Sequence, residues 1–433
     1  MTTILKILSL LGGLATLFIF YPALAAEAKP KIDTGDTAWL LTSTAIVLLM
    51  TIPGVALFYA GMARKKNVLS VLIQSFTITC LISIIWMVVG YSLAFSKSEN
   101  SYVGNLDLAF LDHLTTGAVN GTIPDSLFVV FQMTFAIITA ALITGALAER
   151  MKFSALLWFV GLWSIIVYSP VTFWVWGGGF LSGAGVLDFA GGTVVHINSG
   201  IAALVACIML GKRKGYGVEN LAPHNLVLTV IGGSLLWVGW FGFNAGSALG
   251  ANGSAAMAMT VTQIAAAAGG LAWMLIEWSI QKKPTALGIV SGAVAGLVAI
   301  TPAAGFVGPK GALAIGILAG LICFWGATVL KHKLKYDDSF DVFAIHGLGG
   351  ITGAVLTGVF AVEAIGGTAG ALEGNISQIS TQLYGIAATI IWSGIATAII
   401  IFAIDKTIGI RVDKDSEIEG LDLNQHGEMI HGQ

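Results

Sequence analysis

Two histidines lie within long apolar stretches of the chain, and an imidazole can exchange hydrogen bonds or protons with a small solute. His196 follows the run Gly191–Val195, and His346 follows Val342–Ile345. Burial away from water favours the neutral imidazole, which offers one donor and one acceptor. A single buried histidine is more often bonded to a neighbouring helix, but two at matching positions favour a functional pair. A metal site is disfavoured, because no Cys, third His or carboxylate shares their predicted depth.

Two aspartates open the apolar stretches that carry these histidines. Asp188 precedes the first stretch, where a carboxylate accepts hydrogen bonds from the free N–H groups of a helix N-terminus. Asp341 is expected to do the same at the start of the second stretch. Structural support is the favoured role for both, and direct contact between Asp188 and a solute stays open as the alternative.

Aromatic residues form the third group that could do chemistry, since the face of a Trp or Phe ring attracts a cation by about 0.5–2 kcal/mol. Trp240, Phe243 and Ser247 are spaced by three and four residues and therefore share one helix face. Phe135 lies in another apolar run, and Trp176 stands directly before three glycines. An aromatic belt at a membrane interface is the alternative explanation for these rings.

These residues are embedded in a chain of 433 residues that is 56% hydrophobic and only 10% charged. Soluble domains carry about 25% charged residues. The sequence therefore predicts an all-α polytopic membrane protein with eleven transmembrane helices. Its net charge of −2 says nothing about a nucleic-acid partner, and none is expected. Apolar runs of spanning length begin near residues 38, 69, 126, 153, 190, 225, 255, 285, 311, 339 and 382.

Small residues recur at a four-residue spacing that lets membrane helices approach closely. The glycine pairs with this four-residue spacing are Gly292 with Gly296, Gly316 with Gly320, and Gly349 with Gly353.

Three cysteines, Cys80, Cys207 and Cys323, lie in apolar runs, so neither a disulfide nor a metal site is expected.

The distribution of basic residues predicts the orientation in the membrane. If the mature N-terminus is outside, 16 of the 21 Lys and Arg residues lie in cytoplasmic segments, as the positive-inside rule requires. Spans one to five and six to ten can form inverted repeats, with a peripheral eleventh helix. His196 and His346 then lie about 10–12 Å deep from opposite faces, so both approach the bilayer centre.

The two ends of the chain are predicted to lie outside the membrane domain. Residues 1–26 resemble a cleaved signal peptide, with Lys6, an apolar stretch and a small-residue cleavage site, and a retained transmembrane helix is the alternative. Residues 27–37 are expected to form a short outer segment and 38–404 the membrane domain. Residues 405–433 are predicted to form a polar cytoplasmic tail.

Several motifs resemble those of the ammonium transporter family, which comprises Amt proteins and their Mep and Rh relatives. Residues 188–198, DFAGGTVVHIN, resemble the family signature. The similarity extends from about residue 38 to the tail, and both pore histidines together with Trp176 favour the bacterial Amt branch. Supporting motifs are WFGFNAGS at 240–247, DDSFDVFAIHG at 337–347, FQMTF at 131–135, FYAG at 58–61 and Thr301-Pro302.

The resemblance implies a homotrimer with one pore in each subunit, in the inner membrane of a bacterium. It also implies that a PII-type signalling protein binds the cytoplasmic face. The implied residues are Trp176, Ser247 and Phe135 for ammonium recruitment, Phe135 and Phe243 for a hydrophobic gate, His196 and His346 as pore histidines, and Asp188, Trp240 and Thr301 in support.

The implied function is transport of ammonium or methylammonium without any cofactor. Ammonium would lose a proton before or at the gate, and ammonia would then pass the histidines; whether the proton follows stays open. Enzyme activity is not expected, since no nucleophile–base set lies at an exposed face. An ammonium sensor is the alternative, and a long regulatory domain after the last span would mark it. A cation channel would need carboxylates deep in the membrane, and none is found there.

Overall fold

Eleven apolar helices form the body of the molecule in a computed structural model that describes residues 31–430. Among the described residues, ten helices are long and apolar enough to cross a membrane, and α8 is a shorter apolar helix. Each begins within a few residues of its predicted start, and the predicted signal peptide lies outside the described residues. The bounds are α1 Thr34–Met62, α2 Lys65–Phe95, α3 Asp125–Leu147, α4 Phe153–Gly183, α5 Gly192–Leu210, α6 Leu226–Gly246, α7 Gly253–Gln281, α8 Ala286–Ile300, α9 Pro309–Leu334, α10 Phe343–Phe360 and α11 Ser377–Thr407.

Short elements mark the two ends of this helix bundle. Before α3, strands β1 (Val119–Asn120) and β2 (Ile123–Pro124) form an antiparallel hairpin. After α11, helices α12 (Lys414–Glu419) and α13 (Leu421–His426) pack against the beginning of α2. We name the two ends the hairpin side and the tail side after these elements.

Polar side chains begin several helices, because the first N–H groups of a helix lack partners within it. Each of these side chains accepts a hydrogen bond from an N–H group within the first turn of its helix. The residues are Asp33 for α1, Asn225 for α6, Asn252 for α7 and Thr285 for α8.

The predicted small-residue pairs lie where helices contact one another. A Cβ atom on Gly296 of α8 would lie 2.2 Å from the carbonyl oxygen of Ala265 in α7, and one on Gly316 of α9 would lie 2.4 Å from the same oxygen. A Cβ atom on Gly353 of α10 would lie 2.2 Å from the carbonyl oxygen of Ala299. Glycine therefore lets these backbones touch, as the spacing predicted.

The two helices that carry the histidines both begin with a widened π-helical turn. These turns are Gly192–Ile197 in α5 and Phe343–Leu348 in α10, and each contains its histidine. Such turns are frequent at functional sites, because they change the direction of the side chains around them. The repeated feature agrees with the predicted inverted repeats, which stay a prediction.

Helix α3 lies near the centre of the bundle and α11 at its periphery. Most side chains of α3 are buried, including those that face α5. Helix α11 packs against α4, α5 and α10 and exposes apolar side chains on its other face. Its exposed residues include Leu383, Ile391, Ile395 and Ile399.

Candidate functional site

His196 and His346 contact each other in the core of the bundle, as their positions in the sequence predicted. Their Nδ1 atoms are 3.2 Å apart, and their ring centroids are 5.3 Å apart with an interplanar angle of 24°. The side chains are nearly inaccessible to solvent. Gly200 makes the contact possible, since a Cβ atom there would lie 2.3 Å from the backbone nitrogen of Gly347. Helices α5 and α10 therefore cross closely enough for the rings to meet.

The contact between the two Nδ1 atoms limits where protons can be placed. A hydrogen bond there needs one ring to donate an Nδ1–H and the other to accept with a bare Nδ1. In the uncharged pair, the donor ring then has a bare Nε2, and the acceptor ring carries an Nε2–H. The pair thus offers one further acceptor and one further donor to a solute.

A narrow lumen with a volume of about 10 Å³ adjoins the two imidazoles, which is room for roughly one water-sized molecule. The Nε2 atom of His196 has no hydrogen-bond partner in the described part of the chain. No carboxylate is among the described residues that line this lumen. Besides the two histidines, they are Val55, Phe58, Tyr59, Ile138, Leu142, Leu236, Trp240, Phe243 and Val294.

A stack of aromatic rings closes the lumen towards the hairpin side. The centroids of Phe135 and Phe243 are 4.3 Å apart, and the Phe243 ring lies 5.9 Å from the His196 ring. Trp240 lies 5.5 Å from the same imidazole, and its indole N–H donates to Thr301 Oγ1 at 2.9 Å. The phenyl rings of Phe135 and Phe243 have almost no solvent access, so in this structure they close the path.

A vestibule of about 310 Å³ lies beyond this barrier on the hairpin side. Trp176 stands perpendicular to Phe135, with ring centroids 5.8 Å apart. Ser247 lines the same vestibule, and its hydroxyl donates to the carbonyl oxygen of Phe243 at 2.8 Å. The structure therefore places Trp176 and Ser247 in one vestibule and Phe135 against Trp176, and their role in recruitment stays a prediction.

Gln132 also lines this vestibule, and sequence reasoning gave it no role. Its side chain is 8% exposed, and its Oε1 atom has no hydrogen-bond partner among the described residues. A buried amide oxygen without a partner is costly, so it favours a polar solute nearby. A glutamine amide directly after the apolar run Leu127–Phe131 of α3 is the signal that the sequence offers.

Asp188 supports the beginning of α5 rather than opening into the vestibule. Its Oδ1 accepts from the N–H groups of Gly191 and Gly192 at 2.8 and 2.6 Å, and its Oδ2 from those of Thr193 and Val194 at 2.8 and 3.1 Å. Four N–H groups thus hold one carboxylate. The structure favours the structural alternative over direct contact with a solute.

The backbone of Asp188 also fixes Trp176. The indole N–H of Trp176 donates to the Asp188 carbonyl oxygen at 2.9 Å. One residue therefore orients the vestibule indole through its backbone and the helix that carries His196 through its side chain.

Comparison with known proteins identifies this arrangement. A model of the Ammonium Transporter Family matches residues 38–431. The chain belongs to the ammonium transporter family. It is 48% identical to an ammonium transporter of Aquifex aeolicus, over 97% of this chain and 99% of that one. It is 50% identical to an ammonium transporter of Bacillus subtilis, over 92% of this chain and 99% of that one.

Two solved structures resemble this chain over most of its length. Mep2 of Saccharomyces cerevisiae is 37% identical, with a TM-score of 0.84 and coverage of 89% of each chain. A sensor Amt protein is 29% identical, with a TM-score of 0.84 and coverage of 90% of this chain and 98% of that one. The fold is thus that of an ammonium transporter, and the protein transports ammonium rather than acting as an enzyme.

The tail-side mouth of the transporter corrects one prediction. Asp341 was expected to cap α10, but its Oδ1 pairs with Lys331 Nζ at 2.7 Å instead. Asp338 takes the capping place, because its Oδ2 accepts from the N–H of Phe343 at 2.7 Å. Burial raises the pKa of Asp338 to about 6. Asp341 has a positive φ of 59°, whereas a capping residue is typically extended, and its carboxylate is engaged by Lys331.

A second vestibule of about 170 Å³ opens on the tail side. Its lining contains the carboxylates of Glu277 and Asp341 beside hydroxyl groups and aromatic rings. Glu277 accepts hydrogen bonds from the backbone and the hydroxyl of Thr285 at 3.1 and 3.0 Å. The two vestibules of the transporter therefore differ in charge.

Buried ion pairs join the loops around the tail-side mouth. Arg213 pairs with Asp337 at 2.9 Å and with Glu149 at 3.3 Å, and Arg64 pairs with Glu149 at 2.7 Å. Burial alone would raise the pKa of Asp337, but hydrogen bonds from Arg213 and its positive charge outweigh burial and lower it. These contacts connect the tail-side ends of α1, α3, α5 and α9.

The tail of the transporter is bound to the same loops. Arg411 pairs with Glu417 at 2.8 Å, and Glu417 also accepts from the backbone N–H of Lys214 at 2.6 Å. Asp422 accepts from the N–H groups of Leu69 and Ser70 at 3.0 and 2.7 Å near the beginning of α2. The tail therefore packs against the membrane domain at several points.

Proposed function

We propose that ammonium binds in the hairpin-side vestibule, loses a proton before or at Phe135 and Phe243, and crosses as ammonia past His196 and His346. The lumen of about 10 Å³ beside the paired imidazoles carries this proposal. It has room for roughly one water-sized molecule, and the described residues that line it include no carboxylate to balance a positive charge. Burying an unpaired charge costs many kcal/mol, whereas neutral ammonia can hydrogen-bond to an imidazole nitrogen.

Recruitment rests on the groups around Trp176. The perpendicular rings of Trp176 and Phe135 present an aromatic face to a cation, which is worth about 0.5–2 kcal/mol. The Ser247 oxygen and the unpartnered Oε1 of Gln132 are acceptors in the same vestibule. These groups replace part of the water around ammonium before it meets the barrier.

The phenyl barrier gives the proposal its selectivity. Ammonium can release a proton and continue as a neutral molecule, whereas sodium and potassium ions cannot. Phe135 and Phe243 are packed 4.3 Å apart, so a rotation of at least one ring is needed for passage. In support of this path, Trp240 and Thr301 hold the wall of the lumen through the 2.9 Å hydrogen bond between them.

Uptake of methylammonium into proteoliposomes with simultaneous current recording tests this function. We expect saturable uptake that excess potassium does not inhibit. Uptake with current would mean that the proton follows the ammonia, and uptake without current would mean that it stays behind. Current carried by potassium would contradict the deprotonation step, whereas competition without potassium flux would contradict only selective binding in the vestibule.

We further infer that the hairpin side faces outwards and the tail side faces the cytoplasm of a bacterium. The excess of Lys and Arg in the tail-side loops supports this orientation. Residues 1–26 would be a signal peptide that is removed, and the multi-pass domain would lie in the inner membrane. Thiol labelling of single cysteines placed in the β1–β2 hairpin and in α12 of intact cells tests it, with labelling expected only in the hairpin.

The transporter is also proposed to form a homotrimer with a pore in each subunit and to bind a PII-type signalling protein on the tail side. Support comes from the resemblance to the family and from the well-packed tail, which offers a defined surface. Native mass spectrometry of the detergent-solubilised protein, with and without a PII protein from the same cell, tests both. Monomers alone, or no complex, would contradict the respective proposal.

A sensing role is the second candidate, because the chain shares its fold with a sensor Amt protein. The contacts of the tail with α2 and with the loop after α5 would let a change at the pore reach the tail. The proteoliposome experiment separates the two roles. Ammonium binding without flux would favour sensing, whereas flux at rates that follow concentration favours transport.

A further inference from the structure

Helix α11 buries two glutamine amides although its outward face is apolar. Gln378 and Gln382 are four residues apart and so lie on the same face of the helix. Their exposures are 6% and 1%. An amide buried in an apolar setting is costly unless it finds hydrogen-bond partners, so these side chains need a specific purpose.

Gln382 uses its whole hydrogen-bonding capacity. Its Oε1 accepts from the N–H of Leu187 at 2.7 Å and from Gln378 Nε2 at 3.3 Å. Its Nε2 donates to the carbonyl oxygen of Leu187 at 2.7 Å and to that of Ala354 in α10 at 3.2 Å. The amide therefore holds both backbone groups of Leu187 and also contacts the helix that carries His346.

Two further contacts fix the same segment to α11. Gln378 Nε2 donates to the carbonyl oxygen of Gly185 at 3.0 Å. A Cβ atom on Gly385 would lie 2.9 Å from Val186 Cγ1, so glycine there lets the segment approach the helix closely. These contacts thus hold the loop segment 185–187 against α11, a helix that lies outside the pore.

The clamped segment leads directly into Asp188, whose carbonyl oxygen accepts the indole N–H of Trp176 at 2.9 Å. We propose that Gln382 is a positioning residue that sets the indole of Trp176 for ammonium recruitment by fixing the backbone of Leu187. Gln382 does not line the vestibule and acts only through this chain of contacts. The inference rests on the proposed recruiting role of Trp176.

Replacing Gln382 with Met tests the inference, because Met has a similar length and cannot make the hydrogen bonds. We expect the KM for methylammonium uptake in proteoliposomes to rise about threefold or more, while the maximal rate per folded transporter changes less than twofold. A residue needed only for stability would instead lower the amount of folded protein and leave KM unchanged. That outcome would overturn the proposal.

A double variant shows whether the effect passes through Trp176. In a Trp176→Leu background, Gln382→Met should change KM less than 1.5-fold, since the indole it positions is gone. Equal fold-changes in both backgrounds would overturn the proposed route. If Trp176→Leu alone leaves KM unchanged, the recruiting role itself fails, which is a separate result from a failure of Gln382.

Ser393→Ala is the matched control. The Ser393 hydroxyl also links α11 to α5, by donating to the carbonyl oxygen of Asn198 at 2.8 Å, but it lies away from the segment 185–187. This variant should leave KM at the wild-type value. A rise in KM equal to that of Gln382→Met would mean that any loosening of α11 is sufficient, and it would contradict a specific clamp.

Discussion

The two mouths of the transporter have the same plan but different chemistry. In each, an aspartate eight residues before a histidine accepts N–H groups at the beginning of a π-helical turn. On the hairpin side, Asp188 accepts from four backbone N–H groups. On the tail side, Asp338 accepts from Phe343, and its Oδ1 has no partner among the described residues. Only the hairpin-side carboxylate is fully satisfied by its own helix.

The residues that surround the two mouths also differ, and the difference is one of charge. The hairpin-side vestibule is lined by aromatic rings and neutral polar groups, whereas Glu277, Asp341 and Lys331 lie at the tail-side mouth. A neutral aromatic surface can strip water from a cation without binding it too tightly. Around the tail-side mouth, ion pairs of Arg64, Arg213, Glu149 and Asp337 join the loops, and separate contacts of Glu417 and Asp422 hold the tail. The comparison supports the proposal that ammonium is selected at the hairpin-side mouth, whereas the tail-side mouth carries the ion pairs that join loops and tail.

Removing the two aspartates should separate their roles most strongly. Asp188→Ala would leave four buried N–H groups unpaired at about 1–3 kcal/mol each, so we expect a loss of several kcal/mol of stability and no measurable uptake. Asp338→Ala leaves fewer groups unpaired and should be milder. Melting temperature in detergent and methylammonium uptake measure both. Equal losses in the two variants would break the comparison.

A pH series should reveal the unsatisfied Asp338 carboxylate. Its folded-state pKa of about 6 exceeds the unfolded value of about 3.9, so the folded protein keeps a proton that the unfolded chain releases between these values. Stability should therefore fall as pH rises from 4 to 6, by on the order of 3 kcal/mol, and then stay level. Asp338→Asn cannot ionise and should lack this part of the decline.

The measurement is the melting temperature of wild type and Asp338→Asn between pH 4 and 7. Because other groups titrate as well, the quantity to follow is the difference between the two proteins. We expect the variant to gain stability relative to wild type as pH rises from 4 to 6, and the difference to stay level above that. A difference that does not change with pH would mean that Asp338 is not held protonated by its surroundings.

The histidine pair lies between the two mouths, so variants of each histidine test whether the two residues contribute equally to transport. His346→Ala removes one hydrogen-bonding group from the lumen, and we expect methylammonium uptake to fall about 10–100-fold. His196→Ala should cost more, since His196 also packs against Trp240 and Phe243. The control is His332→Ala, which replaces an exposed histidine at the end of α9. Unchanged, saturable and pH-sensitive uptake in His346→Ala would contradict the role of the pair.

Much of this arrangement could be predicted from the sequence, because membranes restrict what a chain can do. The length of the apolar runs predicts where the membrane spans lie. A histidine inside such a span is rare enough to be noticed. The prediction of a phenyl gate came from the family resemblance, since one Phe among 22 carries no such signal alone.

Other features depended on tertiary structure and could not be predicted. The sequence contains Asp337, Asp338 and Asp341 close together, and only the backbone conformation decides which of them caps α10. The partner of Gln382 lies 195 residues away at Leu187, so no local pattern could reveal the clamp. The sequence shows a glutamine beside an apolar run, but only its neighbours in space show that the Oε1 atom of Gln132 has no hydrogen-bond partner among the described residues.

The smallest expected effect concerns the hairpin-side mouth, where selection of ammonium is proposed. Trp176→Leu removes a cation–π contact worth about 0.5–2 kcal/mol, so the KM for methylammonium should rise about 2–30-fold. The maximal rate should fall much less, because the lumen and the histidines are unchanged. Trp158→Leu is the control, since Trp158 is 62% exposed on the outside of α4. If uptake by Trp176→Leu shows the same concentration dependence as wild type, recruitment does not depend on this indole, and the two mouths would be equal in selection.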